Sequence, residues 1–350
     1  MQISAQLESA RLAHRRRERR RGGFLLLFIT LCLCMMVIDI ATGPSMIGLG
    51  DVVQTLLNLD DADSATRAIV MNMRLPIAAM ALVVGASLAL GGAEMQTLLN
   101  NPMASPYTLG LAAASGFGAA LTLYFDGFGL PTLMAVPLGG FVFCMLAAGL
   151  LFLLASMRGI STYVLVLAGI SLLFLFQALL SLLQYIASPE LSQQITFWLF
   201  GSLLKSHWYS VTAVAVVLAV CAFFLMRDSW KLTALRMGEE RAASLGVNVR
   251  WLRLKTLALV SLLTATAIGF VGVIGFIGLV SPHIARMLVG EDQRYYIPLS
   301  MLCGACLLSA SSVISKNILP GAIFPIGIVT ALIGVPFFFI LILRGLRKHA

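Results

Sequence analysis

The sequence predicts an all-α polytopic membrane protein with about ten transmembrane helices and both termini on the cytoplasmic side. Three observations carry that expectation. Of 350 residues, 59% are hydrophobic and only 11% charged, too little charge to cover a soluble domain of this size. Apolar runs of about 20 residues recur along the chain, the length a helix needs to cross a hydrocarbon core of about 30 Å. These runs also lack the alternation that the strands of a membrane barrel would show.

In order, the runs lie near 24–42, 74–98, 107–125, 131–155, 162–187, 208–226, 252–270, 272–290, 296–314 and 325–343. The stretch 252–290 admits two readings: two spans, or one long tilted helix that leaves nine spans in all. Charge favours the first. With ten spans, 20 of the 24 Lys and Arg face the cytoplasm, and Arg67, Arg74, Lys205 and Lys316 face outward. With nine, the division falls to 16 against 8. Gly269, Gly272, Gly275 and Gly278 also weaken a continuous helix there. The net charge of +9 is therefore read as topology, not as nucleic-acid binding. Residues 1–23 form a basic cytoplasmic segment, and 24–345 a single transmembrane domain. The first apolar run is longer than the hydrophobic region of a signal peptide, so it is read as a retained span.

Covalent chemistry has few candidates. No phosphate-binding G-x-x-x-x-G-K-[ST] loop occurs, nor a Ser-His-Asp or zinc arrangement. His14, His207, His283 and His349 are scattered. Cys32, Cys34, Cys144, Cys221, Cys303 and Cys306 all fall in apolar runs. Cys303-Gly-Ala-Cys306 has redox or metal spacing but no histidine partners, so the cysteines are read as small buried hydrophobes.

Four stretches carry information. "RMGEERAASLGVNVRW", 236–251, breaks the apolar pattern in the longest inner loop. Gly238 precedes a short helix whose first turn holds Glu239 and Glu240, where the helix dipole favours acids. Ala242, Ala243 and Leu245 give it a small apolar face, Ser244 lies between them, and Gly246 suits a left-handed C-cap. So short a helix is unstable alone in water. It must rest either on its own inner loops and the headgroup layer, or on a partner.

In the second stretch, 74–121, Arg74-Leu-Pro76 opens a span at the outer face. Gly85, Gly91, Gly92, Gly110, Gly116 and Gly118 thin two helices for close packing. Asn100, Asn101 and Pro102 begin an uncharged inner loop. Glu94 lies inside the span, where an ionisable side chain suggests function. It either lines the inner gate, pairs with a basic residue of the inner face, or reaches the interface. In the third stretch, 269–300, His283 and Arg286 share a face at i, i+3 and anchor the inner end of a span. In the fourth, 314–348, Lys316 lies outside and Pro325 precedes the last span. Asp39, at the outer end of the first span, is read as interfacial.

Together these stretches resemble the permease subunits of bacterial ABC importers for ferric siderophores and vitamin B12, the type II importers. The matching residues are Arg74-Leu-Pro76, Gly85, Gln96, Asn101-Pro102, Pro106, Leu109-Gly110, Ala243-Ser-Leu-Gly246, Gly275-Phe-Ile-Gly-Leu279, Pro282-His283, Arg286, Gly290, Pro325-Ile-Gly327, Thr330-Ala-Leu-Ile-Gly334 and Pro336-Phe337. Their order and spacing hold from about residue 66 to 345.

The resemblance implies a non-enzymatic subunit. It pairs with a second permease, identical or homologous, around one pathway. Two ABC ATPases below bind the ATP and magnesium, so no cofactor is expected in this chain, and a periplasmic binding protein docks above. It implies that about 238–247 is the coupling helix resting on the ATPase. It matches Arg74 and Lys316 to basic positions that meet the binding protein, with Arg67 added from topology. It implies a pathway or gate near Glu94, Gln96, Asn100, Asn101 and Pro102. The expected setting is the bacterial inner membrane, with lipid as the surrounding partner. An iron–siderophore complex is the expected cargo, with vitamin B12 or haem as alternatives. Departures from the family pattern are Ile77 after Arg-Leu-Pro, Ser312 where an acid four before Lys316 is common, and Ile323-Phe324 where a Glu is usual. Two other classes fit less well. An ion-coupled transporter would carry several acids at mid-membrane, where Glu94 is nearly alone. A membrane enzyme would cluster His, Asp or Cys at one depth.

Overall fold

The computed structural model describes residues 2–43, 47–57, 64–157, 162–318 and 324–346. Arg158, Ile323, and the basic residues Arg347 and Lys348 lie outside them.

The helices follow the apolar runs. Helix α1 (Gln2–Ala41) is followed by short α2 (Leu49–Leu56) and α3 (Ser64–Ile69), then α4 (Leu75–Leu98), α5 (Leu111–Tyr124), α6 (Thr132–Ser156) and α7 (Thr162–Ile186). Next come short α8 (Pro189–Leu199), α9 (Trp208–Arg227), and short α10 (Ser229–Leu235) and α11 (Glu239–Ser244). The chain closes with α12 (Val249–Val271), α13 (Ile277–Val289), α14 (Gln293–Asn317) and α15 (Ile326–Leu346). Seven helices are long and apolar enough to cross a membrane, α5 and α13 are shorter apolar helices at two more predicted spans, and α15 lies at the last. Helix α1 joins the basic segment and the first apolar run in one 40-residue helix.

The doubtful stretch 252–290 is two helices. Gly272 at φ +76 ends α12, and Phe276 at φ +66 precedes α13. Helix α5 is also shorter than the apolar run that foretold it. Residues 99–110 form turns, closed by Gly110 at φ +77. Its 14 residues span about 21 Å, less than a hydrocarbon core. Irregular backbone at that depth is tolerated where protein covers it, and Gly110 is buried against α7.

The centre of the fold is α4, buried on nearly every side from Val84 to Leu98. Glycines let its backbone touch its neighbours directly. A Cβ added at Gly85 would lie 2.3 Å from the Gly304 carbonyl oxygen on α14. One added at Gly92 would lie 1.7 Å from the Gly278 carbonyl oxygen on α13. By contrast, a Cβ at Gly91 would meet only side-chain atoms, the nearest at 3.4 Å.

Gly92→Ala must therefore push α13 off α4. It is expected to cost at least about 2 kcal/mol, whereas Gly91→Ala should be close to neutral. Thermal unfolding of the two variants in detergent checks the contrast.

Candidate functional site

The loop between α9 and α12 folds as the sequence proposes. Gly238, at φ +110, starts α11, and Glu239 and Glu240 occupy its first turn. Gly246 adopts φ +83. Its N–H donates to the Ala243 carbonyl at 2.9 Å, and the Val247 N–H donates to the Ala242 carbonyl at 3.1 Å. That pair of bonds is a Schellman close, which satisfies carbonyls the helix end would leave open. Ala242 and Val247 turn inward and belong to one apolar cluster. Ala243, Ser244, Leu245 and Gly246 face outward, with Leu245 52% exposed. Glu239 pairs with Arg253 of α12. The Asn248 side chain accepts from the Trp251 N–H at 3.0 Å and caps the start of α12 soon after α11 ends. A short helix is thus held rigidly at the ends of two spans, with a small-residue surface left open.

The same end of the molecule is cross-braced. Asp228, between α9 and α10, accepts from Lys231 at 2.7 Å and from Lys255 of α12. Burial alone would raise its carboxyl, but hydrogen bonds and charge from the two lysines hold it below the ordinary range. Stability from this brace is present above the ordinary carboxylate range. It is lost as pH falls through the lowered value.

Several expected inner residues meet here. Arg286 donates to Gln96 Oε1 at 3.0 Å and to the Tyr296 hydroxyl at 2.9 Å, joining α13, α4 and α14. Asn100, at φ +45, accepts from Arg236 at 2.7 Å, and Asn101 Oδ1 accepts from the Met103 N–H at 2.9 Å. Asn100 and Pro102 are exposed, whereas Gln96 is fully buried in the brace and does not line an open path. His283 stands apart from Arg286's partners, its ring 6.3 Å from that of Phe337.

Two of the readings of Glu94, reaching the interface and pairing with a basic residue, are not what the described residues show. It is completely buried, so it does not reach an interface. Neither carboxyl oxygen has a hydrogen-bond partner among the described residues. The physical reason lies in α4, which is packed on almost every side and gives position 94 no route out. Arg286 and Arg236, the basic side chains of this brace, are engaged with Gln96, Tyr296, Asn100 and Glu291.

The outer end differs most from the sequence reading. The Lys316 side chain is buried and donates to Asp39 Oδ1 at 2.7 Å and to the Asp39 carbonyl at 2.9 Å. Arg74, also buried, donates to the carbonyls of Ile40 and Ala41 at 2.9 and 3.0 Å. Two cations thus cap the C-terminal carbonyls of α1, where the helix dipole favours positive charge. Asp39 is not interfacial; it is fully buried. Ser312 donates to the same Asp39 oxygen at 2.8 Å. The carboxylate that meets Lys316 thus comes from α1, with Ser312 of α14 hydrogen-bonded to the same oxygen. Of Arg74, Lys316 and Arg67, only Arg67 is exposed.

Removing one partner of a buried ion pair leaves the other uncompensated. Lys316→Met is therefore expected to cost about 3–5 kcal/mol, and the double variant with Asp39→Leu less. Glu94→Leu should stabilise the protein by about 1–3 kcal/mol, because it removes a buried polar group without partners. Thermal unfolding of the purified variants checks both.

Comparisons with known proteins agree with this architecture. Residues 28–344 match the model of the FecCD transport family. The chain is 35% identical to the hemin transport system permease protein of Yersinia pestis, over 91% of this chain and 96% of the relative. It is 30% identical to the vitamin B12 import system permease protein of Vibrio vulnificus, over 97% and 98%. A solved structure described as a metal-chelate type ABC transporter, in an inward-facing conformation, superposes with a TM-score of 0.82 at 32% identity. It covers 92% of this chain and 99% of its own.

Proposed function

The chain belongs to the FecCD transport family and is the permease subunit of an ABC importer, and on that premise we propose that it carries an iron–siderophore complex across the bacterial inner membrane. The transporting unit would hold two permease subunits around one pathway, with two ATPases on the cytoplasmic side and a periplasmic binding protein above. ATP and magnesium would be bound by the ATPases. Vitamin B12 and haem are the alternative cargoes, and relatives that name each of them support keeping both.

The observation that carries the coupling role is the form of α11. Its own caps and the Glu239–Arg253 pair fix it at the membrane-proximal ends of α10 and α12. Its open face presents Ala243, Ser244, Leu245 and Gly246. A force applied to that face would reach α12 through the Glu239–Arg253 pair and the short connection between the two helices. ATP binding in a partner would then shift the equilibrium between two permease states, provided the partner contacts the two differently. The exposed Arg67 and the inner loop at Asn100–Pro102 are the positions left for binding-protein contact and for gating. Arg74 and Lys316 would act there indirectly, by fixing the end of α1.

Leu245→Asp places a charge on the docking face at a position 52% exposed, so folding and membrane insertion are expected to survive. Uptake of a labelled ferric siderophore should fall at least tenfold, with protein levels unchanged. Normal uptake by this variant would remove α11 from the coupling role. Uptake of labelled vitamin B12 or haem by the wild type, with no siderophore uptake, would reassign the cargo.

A further inference from the structure

Cys32 on α1 and Cys306 on α14 lie side by side, with their sulfur atoms 3.1 Å apart. Both are buried. Each also rests against a carbonyl of the facing helix. Cys32 Sγ lies 3.4 Å from the Leu302 oxygen, and Cys306 Sγ lies 3.7 Å from the Phe28 oxygen. The two thiols therefore face each other across the seam between the helices.

That seam is fixed on either side of them. Arg21 pairs with Asp292 at 3.2 Å at one end, and Lys316 pairs with Asp39 at 2.7 Å at the other. Residues 21, 32 and 39 meet 292, 306 and 316 in the same order, so the helices run parallel. Along α1 the two fixed points stand about 16 and 10 Å from the cysteine. A disulfide needs its sulfur atoms at about 2.05 Å. The sulfur atoms have about 1 Å left to approach.

We propose that Cys32 and Cys306 are an oxidisable pair, closed to an intramolecular disulfide by a small uncharged peroxide, which staples the first long span to α14. An uncharged oxidant is required because the pair lies in a buried apolar seam. One sulfur, as its thiolate, attacks a peroxide oxygen. The O–O bond breaks, the sulfur becomes a sulfenic acid, and the departing hydroxide takes up a proton to leave as water. The second sulfur then attacks the sulfenic sulfur, forms the S–S bond and releases a second water. The two thiols lose two electrons and two protons in all, and hydrogen peroxide is reduced to two waters. Cys303 lies one turn before Cys306 on α14 and is also buried, but the contact with Cys32 belongs to Cys306.

The test uses the full-length protein in its own membranes. Hydrogen peroxide is added, free thiols are blocked with a maleimide, and non-reduced proteolytic peptides are weighed. Oxidation of the exposed Cys34 reports that peroxide was delivered. The expected product is the Cys32 peptide joined to the Cys306 peptide, two hydrogens lighter than their sum and separated by reduction. Peroxide should also raise the thermal unfolding midpoint of the wild type and leave that of Cys32→Ser unmoved. Recovery of Cys32 and Cys306 as unlinked thiols after Cys34 has been oxidised would overturn the proposal. So would a link from Cys32 to Cys303.

Discussion

Helix α4 lies so close to α13 and α14 that backbone meets backbone, through Gly92 against Gly278 and Gly85 against Gly304. Much else is positioned by these approaches. They set the depth of α4, so that Gln96 reaches Arg286 and Tyr296 and Thr97 reaches Gln293. They set the place of α14, which carries Asp292, Cys306 and Lys316 to the seam with α1. Without water between helices, packing of this kind and hydrogen bonds must supply what the hydrophobic effect supplies in soluble proteins. A methyl group at Gly92 would disturb several of these contacts at once.

The resulting molecule is braced at both ends. At the inner end, Asp228, Lys255, Arg253 and Glu239 bind the loop helices to α12, and Arg236 reaches both Asn100 and Glu291. At the outer end, Arg74 and Lys316 close the last turn of α1. The inner brace includes the surface that faces an ATPase in the proposed assembly. The outer brace withdraws two basic residues from the surface and leaves Arg67 exposed.

The sequence showed the spans because bilayer thickness sets their length, and this survives any detail of packing. It showed the end of α11 because a left-handed residue after a helix is nearly always glycine, and Gly246 fills that role. It could not show that the Lys316 side chain is buried, because its partner Asp39 lies 277 residues away. Cys32 and Cys306 are 274 residues apart, and nothing local marks them as a pair. Glu94 was legible as unusual, but its surroundings were not. Helix α4 is apolar on nearly every face, so periodicity does not say which side position 94 takes. Ser312 read only as a departure from the pattern of the resembled family. In the fold Lys316 still meets a carboxylate, that of Asp39 on α1.

The central claim is that this permease works by passing force from an ATPase through α11. The most direct measurement is a mild-detergent purification of the protein, tagged at its C-terminus, from its own membranes, with its companions identified by mass spectrometry. The account predicts that an ABC ATPase copurifies and is lost when residues 239–247 are scrambled, while a second permease, identical or homologous, remains. Recovery of the protein without an ATPase, under conditions that keep a known importer whole, would contradict it.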